Sequence, residues 1–364
     1  MRFVSPLLKR VVYPVLAKAG VFRRSAGEGL AVVTYHGIRP VGYDPIDPAL
    51  DGNLVSADVF RRQLRLLKAN YSVITPDEML GWLGNRREFP PRSVLLTCDD
   101  GLLNNLTEML PILEEEQLRC LFFVTGASAG DKRGTLWYEE LFLTFLRAPS
   151  GHFAISCEGI DVAGDLGARG QRLAVWWNFV KRLSQISAEG RYTFIQHARD
   201  QFGVNDPGNS ADVDDPASRR FKLLTRPELQ RLAAAGMAIG AHTLSHPMLS
   251  QAPHDVAWAE IAQSRTRLEV ALEKQVWALA YPFGSPDSVT TDVLAMAKKA
   301  GYQAAFLNFG GGLGVELPRY AIPRIHVTAE MSLSEFEAHL AGFHAFLQRR
   351  AASSAQVNFQ TARD

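Results

Sequence analysis

Residues 93–101 read SVLLTCDDG, and residues 119–125 read RCLFFVT. Ser93–Thr97 and Arg119–Thr125 are short and mostly apolar, which predicts two buried strands. The intervening sequence predicts a helix from about residue 104 to residue 117. A strand, a helix and a second strand in this order are typical of parallel α/β folds.

The same alternation continues towards both ends of the chain. Capping boxes that begin at Thr75, Thr225 and Ser332 predict three helix starts. Six further strands are predicted at residues 31–35, 71–74, 237–241, 276–281, 302–306 and 321–325. Together with the first two strands they make about eight. The fold class we predict is α/β, a distorted parallel (β/α) barrel over residues 30–349.

Residues 126–224 interrupt this alternation. We interpret them as an insertion between two strands, partly helical and partly loop, that ends in an acidic run at 206–216. The insertion contains Trp137, Trp176 and Trp177. Such residues can line a sugar site, but packing inside a helical insertion is the more usual role of Trp. The small, polar residues 350–364 predict a flexible tail.

The composition excludes several classes of protein. The chain has 364 residues, of which 47% are hydrophobic and 21% charged, and its net charge is +1. These values exclude a disordered chain and a coiled coil, and they give no basic field for nucleic acid. The three cysteines lack a C-x-x-C pair, so neither a zinc ribbon nor a disulfide scaffold is expected.

Residues 1–29 form a basic N-terminal segment with six Lys and Arg residues and no acidic residue before Glu28. The apolar stretch at 11–17 is short for a signal peptide and is broken by Pro14. Three interpretations remain open: a cleaved signal peptide, which is the least favoured, peripheral contact with an anionic membrane surface, or packing against the barrel.

Polar residues follow directly after several predicted strands. In a parallel barrel the carboxyl ends of the strands meet at one face, where active sites are built. The residues at these positions are His36, Asp99 and Asp100, His242 and His246, residues 282–284, and Arg324 with His326.

His242 and His246 are four residues apart, so one helical turn would let both imidazoles share a metal. A carboxylate from the same face would complete a set of two His and one Asp. Consecutive strand residues point to opposite sides, which favours one of Asp99 and Asp100 on the metal and the other beside it. The alternatives to a metal site are that the two histidines lie on the surface and that the Asp-Asp-Gly segment at Asp99 caps the N-terminus of a helix.

T-C-D-D-G at 97–101 and H-T-L-S-H at 242–246 resemble two motifs of the polysaccharide deacetylases, carbohydrate esterase family 4. The family patterns are T-F-D-D-G and H-[ST]-x-x-H, and the resemblance extends over about residues 30–126 and 221–330. It implies that Asp99 is the general base and that a divalent metal, usually zinc, is held by Asp100, His242 and His246.

The resemblance also implies roles for later residues. P-F-G at 282–284 resembles the third motif, in which the backbone N–H of Phe283 helps to hold the oxyanion. His326 matches a late histidine that protonates the leaving amine. Ala280 stands where many members have an Arg that supports the base, and we hypothesise that Arg324 replaces it from the neighbouring strand. Cys98, in place of Phe, is expected to affect packing.

His36 has two open interpretations: it orients a catalytic group, or it is a structural histidine. The expected function is a metal-dependent hydrolase that removes an N-acetyl group from an amino sugar of a bacterial surface polysaccharide or its lipid-linked precursor. The alternatives are a catalytically silent glycan-binding protein and a hydrolase of another C–N bond, such as a deformylase or cyclic amidase. The expected localisation is cytoplasmic, at the inner face of the membrane, with a secreted or periplasmic protein as the alternative.

Overall fold

The computed structural model describes residues 8–25, 29–85, 89–204, 212, 214–311 and 318–343. The tail at 350–364 and most of the acidic run at 206–216 therefore lie outside the described residues. The strands are β1 Leu30–Tyr35, β2 Ser72–Ile74, β3 Ser93–Cys98, β4 Leu121–Val124, β5 Gly151–Cys157, β6 Ile160–Leu166, β7 Ala238–Ala241, β8 Ala278–Ala280, β9 Ala304–Gly310 and β10 Ile322–His326.

The α-helices pack mainly outside these strands. They are α1 Tyr13–Lys18, α2 Val21–Ser25, α3 Pro48–Asp51, α4 Ala57–Asn70, α5 Pro76–Asn85, α6 Leu110–Glu115, α7 Trp137–Arg147, α8 Arg169–Leu183, α9 Ala188–Phe202, α10 Pro216–Phe221, α11 Arg226–Ala234, α12 His254–Leu272, α13 Thr291–Lys299 and α14 Leu333–Leu340. Short π-helical turns occur at Leu8–Val12 and Asn105–Met109, and a 3₁₀ turn at Gly126–Ala129.

Seven parallel strands close into a barrel in the order β1, β3, β4, β7, β8, β9, β10 and back to β1. Strand β2 pairs with the first half of β3, through Ser72–Ile74, and β4 pairs with the second half, through Leu121 and Phe122. The two strands share one edge of β3, which distorts the barrel. The predicted distorted parallel (β/α) barrel is confirmed.

Side chains alternate between two hydrophobic layers because successive strand residues point to opposite faces. Alternate residues such as Val32, Leu95 and Ile322 fill the barrel interior. The intervening ones, Cys98 among them, pack against the outer helices. In the same register Thr34, Thr97 and Arg324 continue the interior set towards the carboxyl ends of their strands, and the functional residues follow there.

The capping boxes predicted at Thr75 and Thr225 are both present. The Thr75 backbone N–H donates to Glu78 Oε2 at 2.7 Å, and the Glu78 backbone N–H donates to Thr75 Oγ1 at 3.2 Å. The box at Thr225 begins α11 in the same way. These reciprocal bonds satisfy N–H groups that a helix start leaves unpaired.

Between β4 and β7 the chain forms α7, α8 and α9 around a separate hydrophobic cluster. The sequence interpretation of helix and loop missed one element there, the antiparallel hairpin of β5 and β6. Its two-residue turn, Glu158–Gly159, has positive φ at both positions, which suits a tight hairpin. Phe153 and Ile155 are buried and alternate with the exposed, small or polar residues His152, Ala154 and Ser156, so the signal was present in the sequence.

The described part of the N-terminal segment packs against α14. Tyr13 and Phe22 are buried there with Ala338. Ion pairs join Lys9 to Glu335 at 2.8 Å and Arg23 to Glu337 at 3.1 Å. Among the described residues, no helix combines the length and apolar character needed to cross a membrane.

Candidate active site

Asp99 and Arg324 form a buried ion pair inside the upper end of the barrel. The guanidinium Nη1 and Nη2 donate to Asp99 Oδ1 and Oδ2, each at 2.6 Å. Nε donates to the Leu307 carbonyl at 2.7 Å, and Nη1 also donates to Thr34 and Thr97 hydroxyls at 3.0 and 3.2 Å. A two-pronged contact of this kind fixes the carboxylate in one orientation.

The strand position of Arg324 differs from the expectation. It lies on β10, separated by β9 from the strand β8 that carries Ala280. Burial alone would raise the pKa of Asp99, but the charges of Arg324 and His242 and the Arg324 hydrogen bonds hold that pKa below its ordinary value. Asp99 is therefore a carboxylate at neutral pH, the form that a proton acceptor needs.

Asp100 points the other way and faces two imidazoles. Its Oδ1 lies 3.5 Å from His242 Nε2 and 3.4 Å from His246 Nε2. All three side chains are buried, and their ligand atoms lie within 4.8 Å of one another. Oδ1 is buried without a hydrogen-bond partner, so three donor atoms converge without satisfying one another. This arrangement fits a divalent cation bound by two His and one Asp.

The two histidines converge through a loop, not through the helical turn that their spacing would also allow. Thr243 and His246 have left-handed φ values of 61° and 60°. The loop is fixed by backbone bonds, since Gly126 N–H donates to the Thr243 carbonyl at 2.9 Å and His242 N–H donates to Val124 at 2.8 Å. Within the loop, the His246 N–H donates to Thr243 Oγ1 at 3.0 Å.

The ring of His242 is also fixed. Its Nδ1 lies 2.8 Å from the carbonyl oxygen of Ala280, so Nδ1 is the protonated nitrogen that donates to it. In the neutral ring Nε2 then presents its lone pair to the Asp100 side. A backbone acceptor behind a ligating histidine is the usual way to fix the tautomer for metal binding.

A buried network that joins α12 to the insertion supports the same loop. Glu260 of α12 accepts the Ser245 backbone N–H at 2.8 Å and the Ser245 hydroxyl. Arg191 of α9 donates to Ser245 Oγ and pairs with Glu260 at 3.3 Å. The sequence analysis did not identify Arg191 or Glu260, because no local motif links residues so far apart in the chain.

Phe283 follows β8 with a left-handed φ of 60°, and Gly284 follows with φ of 54°. A Cβ on Gly284 would lie 2.3 Å from the Asn308 nitrogen, so only glycine fits there. The Phe283 ring lies 5.0 Å from the His246 ring, between centroids. Within the described residues its backbone N–H has no hydrogen-bond partner, so the group is available to an oxyanion.

His36 and His326 stand side by side near Asp99, with ring centroids 4.8 Å apart. Both rings are partly exposed, while His36 Nδ1 and His326 Nε2 are buried without partners. Burial and the neighbouring His36 charge lower the pKa of His326 to about 3. The pKa of His36 is also lowered by burial, so both imidazoles are neutral at pH 7.

The comparisons with known proteins agree with this constellation. A profile described as Polysaccharide deacetylase matches residues 86–169 and 176–305, more than half of the chain. The putative polysaccharide deacetylase YxkH of Bacillus subtilis (strain 168) is 28% identical over 117 residues, 32% of this chain and 41% of that protein. The aligned part thus spans less than half of that relative.

Two solved structures share the fold. Streptococcus pyogenes deacetylase PplD in complex with acetate gives a TM-score of 0.52 at 18% identity, covering 86% of this chain and 99% of its own. IcaB from Ammonifex degensii gives 0.53 at 17% identity, covering 86% and 97%. The profile covers most of the barrel and includes the T-C-D-D-G and H-T-L-S-H segments, and on that ground the chain belongs to the polysaccharide deacetylase family.

Proposed function

We propose that this chain is a metal-dependent N-deacetylase, with zinc as the metal. Its substrate would be an N-acetylated amino sugar of a bacterial surface polysaccharide or of the lipid-linked precursor. The observation that carries the proposal is the placement of the Asp99–Arg324 pair directly beside the convergent oxygen and nitrogen atoms of Asp100, His242 and His246. The acetate in the PplD complex is consistent with the product of such a reaction.

The residues present can perform each part of an amide hydrolysis. A bound divalent metal would acidify a water molecule and polarise the acyl oxygen. Asp99 takes the proton from the attacking water on a carboxylate oxygen whose orientation Arg324 fixes. The free N–H of Phe283 donates to the developing oxyanion, and one such donor is typically worth about 3 to 4 kcal/mol.

Proton delivery to the leaving nitrogen is assigned to His326. Because its depressed pKa makes the neutral ring the resting form, His326 would receive during the reaction the proton that the attacking water gives up to Asp99, and pass it to the leaving nitrogen. His36, in ring contact with it, would orient this imidazole. Variants of the two residues separate the roles: His326→Gln should abolish turnover, whereas His36→Gln should reduce it and leave the products unchanged.

The first experiment measures metal content of the native chain and of His246→Ala by elemental analysis. His152→Ala is the matched control, since its side chain is 69% exposed and far from the site in sequence. About one metal per chain in the native and control proteins, lost in His246→Ala, supports the proposal. No metal in any of them after zinc is supplied would instead favour a silent glycan-binding protein.

The second experiment identifies the bond. Acetate, formate and the ring-opened amino acid are measured in parallel on N-acetylated oligosaccharides, formylated amino sugars and cyclic amides. Acetate alone supports the deacetylase. Formate alone would replace it with a deformylase, and ring-opened product alone with a cyclic amidase, on the same barrel.

We also propose a cytoplasmic location at the inner face of the membrane, with peripheral contact through the N-terminal segment. Val11 and Val15 are 51% and 61% exposed there, close in sequence to the exposed Arg10 and Lys18. Apolar side chains next to basic ones suit an anionic lipid surface. Co-sedimentation with phosphatidylglycerol vesicles should be lost in Val11→Ser/Val15→Ser and absent with phosphatidylcholine; equal sedimentation of the variant would refute the contact.

A further inference from the structure

Aromatic side chains of the insertion surround Phe283 at the mouth of the site. The Tyr138 ring of α7 lies 5.5 Å from the Phe283 ring, and the Trp177 ring of α8 lies 5.6 Å from it, between centroids. Tyr138 also lies 4.8 Å from the ring of His246. The insertion therefore reaches the metal-binding residues and forms one wall beside them.

The adjacent tryptophans Trp176 and Trp177 have different surroundings. Trp176 donates its indole N–H to the Tyr138 carbonyl at 2.8 Å and packs edge-on against Phe142 at 5.1 Å. Trp177 is 37% exposed, and its indole N–H has no partner among the described residues. Core packing, the interpretation favoured from the sequence, accounts for Trp176 and leaves Trp177 unexplained.

An exposed indole beside a candidate active site offers a flat apolar face and one N–H that is free to donate a hydrogen bond. A pyranose ring matches both, because its axial C–H groups form an apolar face and its hydroxyl groups accept hydrogen bonds. The hydroxyl of Tyr138 is likewise without a hydrogen-bond partner within the described part of the chain, and it is on the same wall. Neither side chain is needed to hold a metal.

We propose that Trp177, assisted by Tyr138, forms a binding subsite for the sugar residue next to the one that is deacetylated. The inference rests on the proposed deacetylase function and names the residues of this chain's own insertion that would hold the neighbouring sugar. The Trp177 ring contacts the Phe283 ring, and the Phe283 ring contacts the His246 ring. A sugar on Trp177 is thus beside, and not at, the reacting acetamide.

The test compares binding of N-acetylglucosamine with that of its tetrasaccharides, β1,4- and β1,6-linked, by titration calorimetry on the zinc-loaded full chain. The native protein should bind one tetrasaccharide more tightly than the monosaccharide. Trp177→Ala should weaken tetrasaccharide binding about tenfold, equivalent to about 1.4 kcal/mol, and leave the monosaccharide unchanged. Trp177→Phe should retain most of the affinity because it keeps a flat ring.

Tyr192→Ala is the matched control, since Tyr192 is 63% exposed on α9 of the same insertion. Equal affinity of native protein for the two lengths, absence of binding included, overturns the subsite. So does a Trp177→Ala protein that matches the native one at both lengths. Acetate release is measured separately. Length-dependent binding without acetate release would support the subsite and reject the deacetylase. Acetate release without length-dependent binding would support the deacetylase and reject the subsite.

Discussion

Replacement of Arg324 by Met tests the buried pair at the centre of the site. The guanidinium donates five hydrogen bonds, two of them to Asp99, and is fully buried. Met fills much of the same volume but removes the positive charge, so the Asp99 carboxylate is left buried and uncompensated. Removal of one partner of such a pair typically costs about 3 to 5 kcal/mol of unfolding free energy.

The same substitution should also change the chemistry. Loss of the Arg324 charge raises the pKa of Asp99, because burial is then opposed by fewer favourable charges. The acidic limb of the pH–rate profile should therefore move to higher pH. Asp99 also loses the contact that fixes its orientation, so acetate release at pH 7 should fall, by at most the roughly 10²- to 10⁴-fold that general-base catalysis contributes.

Urea unfolding and acetate release of a double-mutant cycle separate these effects. In Asp99→Asn/Arg324→Met the uncompensated charge is gone, so the double variant should be more stable than Arg324→Met alone. Adding Ala280→Arg to Arg324→Met places a guanidinium where many family members have one, and partial recovery of rate is expected. The reasoning is wrong if Arg324→Met loses less than about 1 kcal/mol and Asp99→Asn adds no stability to it.

Three further predictions address the surroundings. His326 has a pKa lowered to about 3, so the unfolded chain binds a proton on this ring at a higher pH than the folded chain does. The free energy of unfolding should therefore fall as the pH drops from about 6.5 to 3. The pH-dependent unfolding of His326→Gln should lack this contribution, of up to about 4 kcal/mol, and an unchanged slope would contradict the prediction. Arg191→Met should weaken zinc affinity about 10- to 100-fold, measured by competition with a chelator, whereas unaltered affinity would remove Arg191 from the support of the Ser245 loop. Gly101→Ala should cost about 1 to 3 kcal/mol, because φ is 74° and the new Cβ would lie 2.9 Å from Val124; urea unfolding with no loss would count against this steric account.

The barrel could be predicted from the sequence because its signals are local. Apolar runs gave all eight strands of the main sheet, and the boxes at Thr75 and Thr225 marked helix starts correctly. The convergence of His242 and His246 with one of Asp99 and Asp100 could be predicted because strand ends of a parallel barrel meet at one face, and the choice of Asp100 rested on the family resemblance. In each case the residue types within a short segment are enough to predict its local structure or its place at the end of a strand.

The residues that hold the site in place from a distance along the chain could not be predicted in this way. Arg191 pairs with Glu260 across 69 residues of sequence, and Trp177 contacts Phe283 across more than a hundred. Such pairings depend on how the insertion folds back over the barrel, which neither periodicity nor spacing records. The loop through which His242 and His246 converge could not be predicted for a related reason, since a spacing of four residues suits both a helical turn and a left-handed loop.

Backbone strain links stability to the site. Asp100, Thr243, His246 and Phe283 have φ values of 78°, 61°, 60° and 60°, a region that costs a non-glycine residue about 1 to 2 kcal/mol. Such conformations persist only where neighbours over-determine them. The network at Ser245 and the aromatic contacts around Phe283 do this. The insertion contributes Arg191 to the first, beside Glu260 of α12, and Tyr138 and Trp177 to the second. A change in the insertion should therefore alter metal affinity and oxyanion geometry even where it touches neither.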